Sequence, residues 1–547
     1  MKYAEQLILG HIIPLDTDTE TAEAMAVKDG RIVYIGSERV ARRFCNEETK
    51  VLDYGADTVY PGFIDAHCHG LMAGKRLRFE CALKGPVKDM KEYADQLAEY
   101  IVQHPGEPFY AGAGWEPYGV PSAAILDRVC DTVPVVLTSI DGHSVWVNTR
   151  ALEAAGIDEN AVGKYGTSMI RTGADGRPTG HVCEAATALL TRLTAPTVEM
   201  AKEGLLAWQE FAFRNGLTGA CEAMLDCFPG GVGAQAYQEL ENEGKWKLHT
   251  WAFPTERDPD LASAKPADAV EKLKADAAKY HGKHFRVAGL KLFMDGVVEA
   301  HTASLIEPYA DQPDDRGVNY YIGRQELLNE RVALANAAGF PVHFHAIGDR
   351  AVKMAMDAVE YAVLTNCDIR PHNCMAHLQL VRPEDIRRFA EYHVTAIVAP
   401  LWVPAVAPYF AGEIAVLGED RAWSEYPIRS FEDAGATICF HSDYPVSPQM
   451  DAPKQVYQAV KRGDPEKGPK SVKNPDEGIG VLRALLAMTV NAAYLFGASD
   501  DLGTLSVGKL ACCSVYDTDF LRCGDPRDIA KAKGVATVVD GEEVWHA

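Results

Sequence analysis

The 547-residue sequence is 47% hydrophobic and 24% charged, a balance typical of a folded chain with a large core and not of a disordered one. Its formal net charge of −23 disfavours nucleic-acid and anionic-membrane partners, since both require clustered lysine and arginine. The 13 cysteines show no regular spacing, no signal peptide is recognised, and no run of about 18 apolar residues occurs, so we expect a cytoplasmic protein without a membrane span.

Both ends of the sequence alternate short β-like runs with turns. Near the start, AMAV and RIVYIG flank a KDG turn, which is typical of a β-hairpin. Near the end, GTLSVGKLACCSVYD and VATVVDGEEVW show the same kind of pattern. We therefore predict one small β-sandwich domain that is built from residues 1–60 together with residues 490–547.

The middle of the sequence alternates β-like runs with helical ones. In chain order these are the strand FRVAGLKLFMDG, the helix QELLNERVALANAAG, the strand FPVHFHAIGD, the helix AVKMAMDAVEYAVL, the strand HNCMAHLQLV, the helix EDIRRFAEYH, the strand VTAIVAP, the helix end SFEDAGA and the strand TICFHSDYPV. This alternation is typical of parallel βα units, which can close into a (β/α)8 barrel with its active site at the carboxyl ends of the strands. We assign residues 61–489 to this barrel domain.

Two segments interrupt the barrel pattern. Residues from about 75 to 215 contain many glycines and prolines and lack the regular alternation. We predict that they form an insertion after the first barrel strand. Residues 461–478, with the sequence KRGDPEKGPKSVKNPDEG, are predicted to form a polar loop.

The strongest local feature is a pair of histidines in GFIDAHCHG. His67 and His69 are two residues apart at the end of a β-like run, so both side chains point to the same face and can reach one metal ion. Taken alone the pair is a weak signal, because two such histidines are more often core or surface residues. The intervening Cys68 points to the opposite face, which disfavours a cysteine nucleophile.

Other residues that can bind a metal lie at or near the ends of later predicted strands. They are Lys291, His345, His377 and Asp443. Because a barrel gathers its strand ends around one site, we expect these side chains to lie close to the histidine pair. His343 and His441, each two residues before one of these candidates, are expected to support the site or to belong to the core.

Such a set of side chains suits metal-assisted hydrolysis. Neutral imidazole binds zinc and similar ions, and a bound cation can lower the pKa of its water from about 15.7 to about 7, which gives an activated hydroxide. A carboxylate that contacts both the metal and the water can then carry a proton to a leaving nitrogen. Asp443 is the candidate for this role, and His377 is a second candidate catalytic residue. The alternative for Asp443 is a helix-cap or turn aspartate.

These residues belong to a wider set of motifs. They are VYPGFIDAHCHG, GAGWEPY, DGHSVWVNTRAL, DGRPTGHVCE, LKLFMDG, VHFHAIGDRAV, MAHLQLV, HSDYPV and GTLSVGKLA. Together they resemble, over nearly the whole chain, the amidohydrolase superfamily and within it the YtcJ-like branch that includes N-substituted formamide deformylases. The resemblance implies an α/β fold: a distorted (β/α)8 TIM barrel with a small β-sandwich domain from both termini and an insertion after the first barrel strand.

The resemblance also implies a metal-ligand set by position. His67 and His69 match the metal pair of the first strand, and His345, His377 and Asp443 match the ligands of strands five, six and eight. The implied cofactor is a divalent metal, expected to be zinc, with one or two ions bound.

Lys291 matches the strand-four lysine, which many members of the superfamily carry in carbamylated form as a bridge between two metals. A lysine inside an apolar strand is unfavourable unless its charge is removed or paired. The alternative is therefore an unmodified lysine paired with a carboxylate such as Asp295.

Trp115, His143 and Asp295 are candidate substrate-binding residues. For Trp115 a place in the core is the favoured alternative, and for His143 a place as a hydrogen-bonded loop histidine is equally open. The sequence also departs from the family: Cys221 and Glu222 stand where relatives often carry a His-Asp pair, and Cys512 stands where an aspartate is usual.

We therefore expect an enzyme that hydrolyses a carbon–nitrogen bond other than a peptide bond in a small molecule, such as an amide or N-formyl compound. The alternatives are a hydrolase that opens a cyclic amide or ureide ring, an aminohydrolase that deaminates its substrate, and a catalytically inactive barrel used as a scaffold. The expected partner is the small-molecule substrate, with no nucleic acid and no membrane. A homodimer is expected only by analogy with the fold class.

Overall fold

The structure is a computed structural model that describes residues 3–17, 20–85, 87–116, 120–139, 144–255, 265–367 and 369–547. Its strands are β1 (Gln6–Ile12), β2 (Ala22–Lys28), β3 (Arg31–Gly36), β4 (Lys50–Pro61), β5 (Phe63–Cys68), β6 (Glu80–Ala82), β7 (Tyr110–Trp115), β8 (Val135–Ser139), β9 (Ser144–Val147), β10 (Ile170–Thr172), β11 (Pro178–Cys183), β12 (Leu217–Glu222), β13 (His249–Ala252), β14 (Phe285–Val287), β15 (Leu290–Phe293), β16 (Val342–Ala346), β17 (Cys374–His377), β18 (Thr395–Val398), β19 (Ile438–Phe440), β20 (Cys513–Tyr516), β21 (Gly534–Val539) and β22 (Glu542–His546).

The α-helices lie between these strands. They are α1 (Glu38–Ala41), α2 (Gly70–Phe79), α3 (Met90–Gln103), α4 (Ala123–Asp127), α5 (Thr149–Ala155), α6 (Glu159–Tyr165), α7 (Val198–Arg214), α8 (Val232–Asn242), α9 (Pro266–Lys279), α10 (Gln325–Ala337), α11 (Asp349–Thr365), α12 (Pro383–Glu391), α13 (Tyr409–Leu417), α14 (Glu419–Trp423), α15 (Ile428–Asp433), α16 (Ala452–Lys461), α17 (Val481–Met488), α18 (Val490–Leu495) and α19 (Pro526–Ile529). Within the described ranges, none of them combines the length and the apolar character that crossing a bilayer requires.

Strands from both ends of the chain form one seven-stranded sheet in the order β22-β21-β20-β4-β1-β2-β3. The predicted hairpin of β2 and β3 is present, and its turn residues Asp29 and Gly30 have φ values of 50° and 74°, as a type I′ turn requires. Side chains from both ends, among them Ile8, Met25 and Val515, share one apolar cluster. The sheet thus joins the first and last segments of the chain.

A distorted (β/α)8 barrel follows the alternating pattern of the sequence. Two parallel sheets, ordered β14-β13-β12-β5 and β15-β16-β17-β18-β19, supply its strands, with β14 and β15 forming the two parts of one barrel strand. The two sheets contact each other at both of their edges. Thr255 forms a parallel bridge with Lys291, and the Asp443 backbone N–H donates to the His67 carbonyl at 3.1 Å.

The predicted strand FRVAGLKLF is interrupted at Gly289, between β14 and β15. A Cβ atom at this position would lie 2.4 Å from the carbonyl oxygen of Pro341, so the backbones approach too closely for any other residue. The interruption leaves β14 paired with β13 and β15 paired with β16.

Most barrel strands are buried along their whole length, as parallel strands covered on both faces must be. Every residue of β5, FIDAHC, is buried, including the polar Asp65 and His67. Polar side chains in such strands are stable only with hydrogen-bonding, ionic or metal partners. The polar residues of the barrel strands therefore identify interior positions that need a hydrogen-bonding, ionic or metal partner.

Residues 71–208 together with 227–236 form a second compact unit. Its six-stranded sheet has the order β10-β11-β9-β8-β7-β6 and mixes parallel and antiparallel pairs. Trp115 and Trp146 lie in its core with ring centroids 6.3 Å apart. Residues 209–226 belong to the first unit, with the barrel.

The segment predicted as a polar loop, residues 461–478, contains two fully buried basic side chains. Lys473 contacts the carboxylate of Glu425, and its Nζ lies 3.2 Å from Glu413 Oε2. Arg462 donates to three backbone carbonyl oxygens. These contacts attach the segment to the barrel by buried ionic and hydrogen-bonding groups.

We expect Lys473→Met to lower the free energy of unfolding by about 3–5 kcal/mol, because it leaves buried carboxylates without their cation. Urea denaturation measures the change. Lys470→Met, at an exposed position of the same segment, is the matched control and should change stability by less than about 0.5 kcal/mol. Equal unfolding midpoints for the two variants would contradict the stabilising role of the buried pair.

Candidate metal centre

The carboxyl ends of the barrel strands bring together a cluster of buried polar side chains. His67 lies in β5 and His69 directly after it, while His345 and His377 lie in β16 and β17. Asp443 follows β19. All five side chains are buried, so their polar atoms are largely removed from solvent.

Three of these side chains converge on one point. Asp443 Oδ1 lies 3.1 Å from His67 Nε2 and 3.2 Å from His69 Nε2. Ligand atoms held about 2.0–2.2 Å from a tetrahedral zinc ion lie roughly 3.3–3.6 Å from one another. His69 Nδ1 is buried and has no hydrogen-bond partner within the described part of the chain. The spacing and the donor types therefore fit a divalent metal.

Lys291 and His343 face the other ring nitrogen of His67. Lys291 Nζ lies 3.5 Å and His343 Nε2 2.7 Å from His67 Nδ1. Burial lowers the pKa of Lys291 to about 8, an effect that the nearby Asp443 opposes. Burial and the Lys291 charge together hold the pKa of His67 well below its ordinary value. A neutral His67 keeps a lone pair for a metal.

Asp295 fixes the orientation of His345. Its Oδ1 lies 3.2 Å from His345 Nδ1, and its two oxygens accept backbone N–H groups from Ser304, Ile347 and Gly348. The carboxylate is 1% exposed. Asp295, predicted as a substrate contact, thus lies behind His345, and the ring is held with Nε2 as its remaining ligand atom.

His377 and His441 complete the histidine cluster. The ring centroid of His377 lies 4.5 Å from that of His345 and 4.9 Å from that of His67. His377 Nδ1 and both ring nitrogens of His441 are buried without hydrogen-bond partners among the described residues. Burial lowers the pKa of both rings, that of His441 to about 4. Unpartnered buried nitrogens are unfavourable, so this region favours a bound ion or substrate atom.

The backbone is strained at two of the candidate ligands. His377 has a φ of 82° and Asp443 a φ of 57°, both in the left-handed region that side chains other than glycine rarely occupy. Such conformations persist where the surrounding structure enforces them, and they are concentrated at functional sites. The strain therefore supports a functional role for these two strand ends.

Two supporting residues were not identified from the sequence. Asp65 accepts the backbone N–H groups of His67 and Ser442, which ties the end of β5 to the end of β19. Trp402 stacks on His377 at 5.4 Å with an interplanar angle of 6°. Asp65 could have been identified because it is a polar residue inside the apolar run GFIDAH, whereas no feature of the sequence indicated Trp402.

Other residues named from the sequence have the following surroundings. Trp115 is 1% exposed in the core of the second unit, where its Nε1 donates to the Leu137 carbonyl at 2.7 Å. His143 lies outside the described residues. Cys221 is buried with its Sγ 4.0 Å from His343 Nδ1, and Glu222 accepts the hydroxyl of Tyr237.

We expect Asp295→Asn to lower both metal affinity and kcat/KM roughly 10–100-fold, because His345 loses the carboxylate that orients it. The matched control is Asp311→Asn, since Asp311 forms a similar pair with His301 at 2.9 Å but is 39% exposed on the surface. Competition with a coloured chelator measures the affinity. Parallel losses in the two variants would show that the effect does not come from His345.

Comparison with known proteins identifies the family of this chain. A family model described as the amidohydrolase family matches residues 50–545. The chain is 27% identical to the protein LONG AFTER FAR-RED 3 of Arabidopsis thaliana, covering 98% of this chain and 90% of that protein. It is 27% identical to YtcJ of Bacillus subtilis (strain 168), described as an amidohydrolase, with 98% of each chain covered.

A further relative and a solved structure are also similar to this chain. The chain is 24% identical to the N-substituted formamide deformylase of Arthrobacter pascens, over 98% of this chain and 97% of that one. A crystal structure of an uncharacterized metal-dependent hydrolase from Pyrococcus furiosus superposes with a TM-score of 0.77 at 24% identity, covering 94% of this chain and all of that one. The chain therefore belongs to the amidohydrolase family of metal-dependent hydrolases.

Proposed function

We propose that this protein hydrolyses a carbon–nitrogen bond, other than a peptide bond, in a small amide, with N-formyl amines as the favoured class. The observation that carries the proposal is the convergence of His67 Nε2, His69 Nε2 and Asp443 Oδ1 at 3.1–3.2 Å in a buried site. The similarity to a protein named N-substituted formamide deformylase favours the formyl group.

We assign the binding of a divalent metal, zinc in our proposal, to two groups of residues. His67, His69 and Asp443 would hold one ion, and Lys291, His345 and His377 would provide the ligands for a second. Imidazole nitrogens and carboxylate oxygens are donors that zinc accepts readily. When bound, the metal supplies a Lewis acid and lowers the pKa of a coordinated water to about 7.

Asp443 is the proton carrier of the proposed reaction. Water oxygen bonds to the amide carbon, the C–N bond breaks, and the leaving nitrogen must receive a proton. Asp443 can accept the proton of the attacking water at a carboxylate oxygen and donate it to that nitrogen. The left-handed backbone at Asp443 and the contacts with both histidines hold the carboxylate in one orientation. His377 is the second proposed catalytic residue.

Lys291 is proposed to be carbamylated. Its amine nitrogen would bond to the carbon of CO2 and lose one proton, giving an anionic oxygen ligand. The reaction needs the neutral amine, and burial lowers the pKa of Lys291 to about 8, which increases the neutral fraction of the lysine at pH 7. A fully buried lysine is also more favourable once its positive charge is removed.

The test is a hydrolysis screen followed by mass spectrometry. The panel contains N-formyl amines, N-acyl amino acids, cyclic ureides and aminated heterocycles, each incubated with chelated protein and with protein to which zinc is restored. Turnover of the N-formyl amines only with zinc is the expected result. Zinc-dependent turnover of another class alone would replace the proposed substrate. No turnover, together with protein that holds no metal as purified, would favour an inactive scaffold.

A further inference from the structure

A second group of metal-binding side chains lies outside the proposed active site. His249 is the first residue of β13, at the amino end of a barrel strand, and Cys512 directly precedes β20 of the terminal sheet. Asp540 occupies the turn between β21 and β22. His284 lies directly before β14, beside His249, with ring centroids 4.9 Å apart. The group therefore joins the barrel strands to the terminal sheet within one compact unit.

The donor atoms of this group are spaced like metal ligands. Asp540 Oδ1 lies 3.0 Å from His249 Nε2 and 3.4 Å from Cys512 Sγ, and the sulfur lies 3.8 Å from the same nitrogen. A tetrahedral zinc ion with bonds of about 2.0–2.2 Å to nitrogen or oxygen and about 2.3 Å to sulfur places its ligand atoms roughly 3.3–3.6 Å apart. Each observed spacing is within a few tenths of an ångström of that range.

Several local features favour a bound metal. His249 and Cys512 are more than nine-tenths buried. The backbone N–H of Asp540 donates to Cys512 Sγ at 3.4 Å, a contact that stabilises a thiolate. His284 Nε2 lies 3.0 Å from Asp540 Oδ2, so it contacts the other oxygen of the same carboxylate. Imidazole nitrogen, thiolate sulfur and carboxylate oxygen are each donors that zinc accepts.

The hairpin turn explains why Asp540 stands at this point. Asp540 and Gly541 have φ values of 49° and 80°, the positive pair that a type I′ turn requires, and Asp-Gly is a favoured sequence for it. The turn directs the Asp540 carboxylate toward the amino ends of the barrel strands, where both histidines meet it.

A cation can reach this group from solvent. An open pocket is lined by His249, Lys283 and His284, among other residues. The Lys283 ammonium lies 2.6 Å from Asp540 Oδ2, but its side chain is 60% exposed and can turn into solvent when a metal ion replaces it. The pocket thus provides the entry path that a metal site needs.

We propose that His249, Cys512 and Asp540 form a second zinc site that fastens the terminal sheet to the amino end of the barrel. Zinc binding releases the thiol proton of Cys512 to solvent. The amino-terminal face of a TIM barrel serves stability, whereas catalysis takes place at the opposite face, so this site stabilises the fold. Its existence does not depend on the proposed hydrolysis.

Cobalt(II) is the probe for this site. Metal-stripped protein is titrated with Co²⁺ and the absorption spectrum is recorded. We expect a thiolate-to-cobalt charge-transfer band in the near ultraviolet for the wild type, and its loss in Cys512→Ser. Cys513→Ser is the matched control, because Cys513 is buried in the apolar cluster of the terminal sheet, and it should keep the band. No band in the wild type, or an unchanged band in Cys512→Ser, would overturn the proposal.

Zinc content provides a second readout. After zinc loading and gel filtration, Cys512→Ser should contain one equivalent less than the wild type. The double variant His67→Ala/His69→Ala, which removes ligands of the proposed active site, should still contain at least one equivalent and should keep the cobalt band. A double variant that folds but binds no zinc would show that the second group is only hydrogen-bonded. This outcome would leave the proposed hydrolysis unaffected.

Discussion

Asp443→Asn is expected to lower kcat/KM by about 10²–10⁴-fold while leaving the fold intact. The substitution keeps the shape of the side chain but removes the negative charge next to His67 Nε2 and His69 Nε2. It also removes the group that accepts and returns the proton. Steady-state kinetics on the substrate identified by the screen, together with the thermal midpoint and the zinc content, measure these effects.

Asp433→Asn provides the control, since it is the same chemical change at an exposed position of α15. It should leave kcat/KM unchanged. Full activity in Asp443→Asn would remove Asp443 from the proton-transfer step, and a fall in kcat/KM caused only by lost zinc would reduce its role to that of a ligand. His67→Ala should also abolish turnover.

Lys291→Met is the second substitution with a large expected effect. It should lower kcat/KM roughly 100-fold or more, because loss of a ligand should exceed the 10–100-fold effect of losing a group that only orients a ligand. Methionine is apolar and of similar length, so the buried strand position should tolerate it. ¹³C NMR of wild-type protein equilibrated with ¹³C-bicarbonate should show a carbamate carbon that is absent from the variant.

The exposed Lys272→Met variant, with a side chain that is 72% exposed in the wild type, should keep both the activity and the carbamate signal. A wild type without a carbamate signal at full activity would contradict carbamylation. A wild-type signal that persists in Lys291→Met would assign it to another lysine.

The elements of the barrel could be predicted because local periodicity determines them. The βα alternation in residues 342–440 corresponds to strands and helices from β16 to β19. The break at Gly289 could not be predicted, since it depends on a close approach to Pro341, which lies far away in the sequence. The burial of Lys473 could not be predicted either, because it depends on Glu425 and Glu413 from other segments.

For the site, the sequence indicated which residue types stand at strand ends, but not how their atoms meet. His67 in β5 and His69 directly after it occupy alternate positions and define a shared face. Their convergence on Asp443 depends on the left-handed backbone of a residue three positions beyond β19. The role of Asp295 behind His345 also follows only from the structure, because three backbone N–H groups from two loops hold its carboxylate.

The group around Cys512 shows why a site built from distant parts of the chain cannot be found from sequence patterns. His249, His284, Cys512 and Asp540 share no motif and are distributed over nearly 300 positions of the chain. The sequence marked only Cys512, as a departure from the family. The barrel and the terminal sheet must both form before the four side chains meet, so no spacing rule can identify them.

The central claim is that a divalent metal is held where His67, His69 and Asp443 converge. Diffraction data collected on both sides of the zinc absorption edge, from crystals of zinc-loaded protein, test it most directly. We predict an anomalous peak about 2.0–2.2 Å from His67 Nε2, His69 Nε2 and an oxygen of Asp443. Zinc-loaded crystals without a peak among these three atoms would contradict the account.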